Sequence, residues 1–236
     1  MSTALRAYLN DPALKAAFLD QIAQHEAADA IVQGTYGQIN GAFRGCAIGC
    51  ALHSLNLLQG KVGEEALTDT SVHARYETEL GLPAWLAHLE DHIFESLPIA
   101  EAVTWPRRLA EAIPVGAVVG DRALARILLW LLTDATYGAR TATDREDVRG
   151  WIDKIAAWIA ADARGEATDE QSARAARAAW AAWAARDAWA AWDAWAARDA
   201  WADRAVWDAK WDTRFCLALA AHVVTVLQAV EPLEEE

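Results

Sequence analysis

From Arg174 to Lys210 every third residue is Trp, Arg or Lys, and Ala or Asp fills almost every position between. Trp180, Trp183, Trp189, Trp192, Trp195, Trp201 and Trp207 stand in this register, with Trp211 just beyond it. Between Gly165 and Pro232 there is neither Gly nor Pro, so no residue marks a break. One straight helix over that stretch would reach about 100 Å at roughly 1.5 Å per residue, against about 45 Å for a compact domain of this size. The segment must therefore project, turn back on itself near the Asp-rich stretch Arg198 to Asp203, or serve an oligomer. In an α-helix each three-residue step advances about 300°, so successive tryptophans drift by about 60° and circle the axis in about eighteen residues. No single apolar face results. Such a helix fits the centre of a bundle or the shared strut of an assembly, where the large Trp surface is buried on several sides. A 3₁₀ winding would align the rings on one edge, but long runs of that form are uncommon. Slippage of a nine-base unit accounts for the origin of the tract without excluding a role as spacer or assembly surface.

Charge separates the tract from the rest. From Arg174 to Asp212 six Arg or Lys balance six Asp, whereas the whole chain of 236 residues carries a formal charge of −13. An aromatic platform for bases or a planar ligand would need the net positive charge that the tract lacks. The acidity elsewhere argues against direct nucleic-acid binding, which rests on Lys and Arg meeting phosphates. It leaves open a cationic partner, an acidic decoy for a nucleic-acid-binding protein, or plain solubility. Three cysteines make no disulfide framework, and the odd count suits a reducing compartment. Neither a secretory leader nor an uncharged run of about 18 residues appears, so a cytoplasmic protein without a membrane span is expected.

Elsewhere the pattern is helical. Asp11 followed by Pro12 reads as an N-cap and first helical residue, with Leu14, Phe18, Ile22 and Ile31 periodic as far as Gly34. Pro83 to Ser96 places Leu86, Leu89, Ile93 and Leu97 on one face. Trp105 to Ile113 is a shorter helix. Asp121 to Leu132 is strongly apolar, its run Ile127 to Leu132 marking the centre of the core. Thr143 and Glu146 form a capping box opening a helix over Asp144 to Arg164, with Trp151, Ile155, Trp158 and Ile159 inward.

Two constellations could carry chemistry. Gly41, Gly45 and Gly49 are spaced by four, and Cys46, Cys50 and His53 run alongside. On a helix the glycines would form a smooth stripe and the thiols and imidazole a neighbouring one. Close packing of buried cysteines explains this arrangement. A zinc or other transition-metal site from Cys46, Cys50 and His53, completed by Cys216, is the sharper alternative, although the spacing matches no zinc-ribbon pattern. A Cys50 nucleophile paired with His53 lacks an orienting third residue. The second constellation is His88, His92 and Glu95, which share a helical face and could hold zinc, or could form a solvated surface opposite the leucine stripe. His25, His73 and His222 stand apart. Phosphate-binding glycine loops and serine nucleophile elbows are absent from the sequence.

The segments Gly45 to Ser54 (GCAIGCALHS), Leu80 to Pro98, Ala112 to Ala117 and Leu128 to Asp134 together resemble an uncharacterised group of bacterial and phage proteins that also carry Ala-rich low-complexity stretches near the carboxy terminus. The likeness covers roughly residues 20 to 140. It implies a bacterial or phage setting and supplies neither an activity nor site residues.

The expectation is an all-α protein, a helical bundle with a long Ala/Trp-rich C-terminal helix or helical hairpin. Residues 1–165 would form a compact domain and 166–236 the repeat segment with an acidic tail. Its function is expected to be non-enzymatic binding or assembly, as a homo-oligomer or with a protein partner, through the Trp tract. The alternative is a small-ligand or metal-binding protein, conceivably an enzyme, built around residues 41–53. No cofactor is expected beyond a transition metal at those side chains.

Overall fold

The computed structural model describes residues 4–39, 42–164, 166 and 213–232. The Trp tract, and with it the assembly surface expected there, lies outside them. The fold is all-α: eight α-helices joined by short 3₁₀ and π turns, with one two-residue β-hairpin among the described residues. None of the described helices is long and apolar enough to cross a membrane. The chain divides into two compact units, one of residues 1–120 and 216–236, the other of 121–215. The first unit is thus discontinuous, and the boundary differs from the division expected at residue 165.

In the first unit α1 spans Pro12–Ala27. The Asp11 carboxylate caps it by accepting from Ala13 N at 2.8 Å, which satisfies one of the donors every helix start leaves over. Phe18, Ile22 and His25 are its buried residues. The helix ends short of Gly34, because Asp29 adopts a left-handed conformation (φ 51°) and Ile31 then pairs with Gly45 in a parallel bridge. The hairpin of β1 (Gln38–Ile39) and β2 (Ala42–Phe43) follows. Next comes α2, Ala47–Leu58, which is buried over most of its length and packs against α1 and against α3, Ala84–Ser96. Leu86, Leu89 and Ile93 on α3 and Leu97 at its C-cap are all at most 4% exposed, as their spacing predicts. Each such side chain is worth about 2 kcal/mol of burial. After α4, Ile99–Ala102, comes α5, Trp105–Ala112, which packs on α1, α2 and α3; the fully buried Trp105 donates from Nε1 to Glu90 O at 3.1 Å.

Before α1 the chain makes a left-handed turn of three non-glycine residues, Tyr8, Leu9 and Asn10, with φ of 55°, 53° and 60°. A crowded Cβ makes this conformation costly, so its surroundings must impose it. Gly81 and Gly116, themselves at positive φ, leave no room for a Cβ against Arg6 O and Asn10 Oδ1 respectively. Ala7 exchanges backbone hydrogen bonds with Gly116 and Ala117 at 2.9 Å, and the buried Tyr8 hydroxyl donates to Ala110 O at 2.6 Å.

The second unit contains α6, Asp121–Thr133, packed on α7, Glu146–Ala163. Ala123, Leu124, Ala125, Ile127 and Leu128 are buried, while Leu129 to Leu132 are only partly covered, so the core lies at the first half of α6 rather than at the apolar run singled out in the sequence. On α7 the buried set is Ile152, Ala156, Ile159 and Ala161. Trp151 is 55% exposed and carries the Lys154 ammonium over its ring, which corrects its expected inward direction. Trp130, Tyr137 and Phe215 form a ring cluster with centroids 6.0–6.2 Å apart. The last helix, α8 (Thr213–Gln228), belongs to the first unit from Cys216 onward, where Pro232 makes an antiparallel bridge to Ala117.

Candidate metal centre

The Gly/Cys/His segment is not one helix. Cys46 is the N-cap of α2 with extended backbone (φ −65°, ψ −177°), and its sulfur accepts from Gly49 N at 3.4 Å. Gly45 precedes the helix in the bridge to Ile31, and Gly41 lies outside the described residues, so the expected glycine stripe does not form. Gly49 has a local task instead: a Cβ there would meet Tyr36 O at 2.9 Å. The absence of a side chain lets the bend at Tyr36 lie on the first turn of α2.

Cys46, Cys50 and His53 therefore diverge. The Cys50 thiol faces Gly45 O and Ala30 O at 3.3 and 3.7 Å, and burial pushes it up to about 12, which keeps it protonated and inert. His53 turns to His25, with its Nδ1 2.8 Å from His25 Nε2, and Phe43 stacks on its ring at 3.8 Å. Cys216 is buried on α8 and joins none of the metal-ligand groups among the described residues.

Cys46 meets α3 instead. Its Sγ and a carboxylate oxygen from each of Asp91 and Glu95 all lie within 4.8 Å of one another. Asp91 and Glu95 sit four apart, one above the other on the side of α3 away from its leucine stripe. This side is only partly roofed, by residues 34–36 and by His73: Cys46 is buried, Asp91 half-buried and Glu95 exposed to solvent. The Tyr36 hydroxyl donates to Asp91 Oδ2 at 2.7 Å, and Gly34 N donates to both Glu95 oxygens at 3.0 Å. His73 Nε2 stands 3.5 Å from Asp91 Oδ2, and its ring stacks on His88 at 4.1 Å and 9°. Of the second expected set, Glu95 is in the group and His88 is one ring removed from it, while His92 is outside it.

The electrostatics are uneven. Burial, then the nearby Asp91 carboxylate, raise the Cys46 thiol well above its ordinary range, so it is protonated when no cation is near. Burial works against ionised Asp91, but the hydrogen-bonding groups of His73, Tyr36 and Cys46 outweigh it and hold the carboxyl below its usual value. One residue earlier, Glu90 points into the core, where Tyr76 donates to its Oε2 at 2.8 Å and burial lifts its carboxyl to about 8. Adjacent carboxyls on one helix thus hold opposite protonation states at neutral pH, which separates a structural acid from a ligand-type carboxylate.

Two buried atoms in this cluster, His73 Nε2 and Asp91 Oδ1, make no hydrogen bond of good geometry, although Nε2 stands at ion-pair distance from Asp91 Oδ2. Such atoms are rare in well-packed structures and cost free energy unless something pairs with them. Sequence reasoning picked out Cys46 and Glu95 and missed Asp91, Tyr36 and His73 as their companions. Asp91 to Glu95 at helical spacing was the available signal. In comparisons with protein-family models, curated proteins and solved structures, the chain matches none.

Proposed function

We propose that this protein binds a divalent transition metal of the zinc class through Cys46, Asp91 and Glu95. The supporting observation is the convergence of one thiol and two carboxylates within 4.8 Å, drawn from α2 and α3. A thiol among the donors favours zinc-class ions over magnesium or calcium, which take oxygen ligands. A metal also answers the electrostatic conflict of the site. Cys46 must lose its proton beside an ionised Asp91, which only a nearby cation makes favourable, so binding releases a proton and strengthens as pH rises. Tyr36 and the Gly34 amide act as outer partners that fix the carboxylates. The bound ion would clamp the 34–46 segment to α3, so the reading is a ligand-binding role and not a named reaction.

The test is titration of metal-stripped protein with Co²⁺ and Zn²⁺. One ion per chain is expected, with a sulfur-to-cobalt charge-transfer band that disappears in Cys46→Ser and persists in Cys50→Ser. Protein that takes up no stoichiometric ion, or takes it up equally after Cys46→Ser, overturns the reading.

A further inference from the structure

We infer that the carboxy-terminal end of α6, with Leu129, Leu131 and Leu132, is a docking face for this chain's own tryptophan tract, and that Trp207 and Trp211 occupy it. On a helix turning about 100° per residue, Ala123, Leu124, Ala125, Ile127 and Leu128 mark out the buried arc of α6. Leu131 and Leu132 fall inside the same arc, Leu131 seven residues after Leu124 and Leu132 four after Leu128. Both are nevertheless only partly covered, as is Leu129. Residues 127–133 carry no charge, and the apolar area left open there is area that a further apolar group would remove from water.

The path of the chain selects the occupant. The compact unit that holds α6 and α7 runs from Asp121 to Phe215, so the tract begins after α7 and ends at Phe215 within one unit. Phe215 is 5% exposed and its ring centroid lies 6.0 Å from that of Trp130 on α6, which brings the chain that follows the tract to this end of the helix. Trp211 precedes Phe215 by four residues and Trp207 by eight. An extended chain spans at most about 3.5 Å per residue, so Trp211 is held within about 14 Å of Phe215 whatever the backbone between them does. A side chain tethered so closely meets the face at an effective concentration of about millimolar, which a second copy of the chain at micromolar concentration does not match. The chemistry agrees. The tract is charge-balanced and its indoles are large and apolar, and Trp130, Tyr137 and Phe215 already form a ring cluster against which an indole can pack.

Hydroxyl-radical labelling of the full-length protein, read by mass spectrometry, tests this independently of any metal. Leu131 and Leu132 should label several-fold more slowly than Leu58, which is 38% exposed, and equally slowly at nanomolar and micromolar protein. Their labelling should rise several-fold in Trp207→Ala/Trp211→Ala and stay unchanged in Trp180→Ala/Trp183→Ala, with circular dichroism checking that both variants fold. Wild-type labelling as fast as that of Leu58, or slow labelling that persists in Trp207→Ala/Trp211→Ala, overturns the proposal. Slow labelling that becomes fast on dilution makes a second copy the occupant and overturns it equally. Should the variant fail to fold, methyl NMR of the wild type decides: nuclear Overhauser contacts from the Leu131 and Leu132 methyl groups to the Trp207 or Trp211 indole are expected within one chain. No such contact, or contacts only between chains in a mixture of labelled and unlabelled protein, overturns the proposal.

Discussion

Two pairs of histidines in the first unit solve the same problem differently. His25 and His53 meet edge-on at 84°, and His25 Nδ1 lies 2.7 Å from Gln21 O, so its Nε2 is left to accept from His53 Nδ1 at 2.8 Å. Each contact has one donor and one acceptor, and Ser54, which donates to Cys50 O at 2.8 Å, closes the neighbourhood. His73 and His88 meet face to face at 9°, and the polar edge of His73 turns to a carboxylate instead of a donor. The first pair is tied to itself and to the backbone, and the second is tied through His73 to the Asp91 carboxylate. An imidazole reports its role by what its second nitrogen finds, not by burial or by proximity to another histidine.

The largest expected effect separates the pairs outright. Zinc at a hundred times its Kd should stabilise the protein by about 2.7 kcal/mol, read as a rise in melting temperature. The rise should vanish in Cys46→Ser and survive in His53→Phe; a rise that depends on His53 would break the comparison. Next, in metal-free protein, His25→Leu should cost about 2 kcal/mol in urea unfolding, because it strands the His53 donor. His73→Leu should cost less than that, since the Asp91 carboxylate it leaves still accepts from the Tyr36 hydroxyl. Equal losses would mean that both pairs are structural.

Acid sharpens the contrast further. Burial lowers His25, and burial together with His25 lowers His53 to about 4, against an ordinary value of 6.5. Between those values the unfolded chain binds protons that the folded pair refuses. Stability contributed by the pair is therefore complete above pH 6.5 and falls as pH drops toward 4. The fall in melting temperature over that window should flatten in His25→Leu/His53→Phe; an unchanged acid limb would show that other groups set it. The smallest effect concerns Phe43, stacked on His53: Phe43→Ala should cost about 0.5–1.5 kcal/mol and move His53 back toward its ordinary range, read by NMR titration.

Legibility in the sequence followed the range of the interaction. The Asp11–Pro12 helix start and the buried stripe Leu86, Leu89, Ile93 and Leu97 depend on neighbours within a few residues, and both stand in the structure. The partners of Asp91 on the polar side of α3 could not be read from the helix itself, because Tyr36 and His73 arrive from 55 and 18 positions away. Cys46 was visible as chemistry but misplaced, since the bridge from Ile31 to Gly45 delays the start of α2 to Ala47 and aims the thiol away from Cys50 and His53. Trp151 went wrong for another reason: its size suggested burial, whereas the spacing of Ile152, Ala156 and Ile159 set the face.

The chain leaves the first unit after Gly120 and rejoins it at Cys216, so the whole triplet tract is an insertion between two anchored points. Gain or loss of single Ala-Ala-Trp or Ala-Ala-Arg units therefore falls between Gly120 and Cys216 and leaves unchanged every residue of the unit that holds Cys46, Asp91 and Glu95. A replication error in the tract lengthens or shortens the chain without rewriting the residues of that unit.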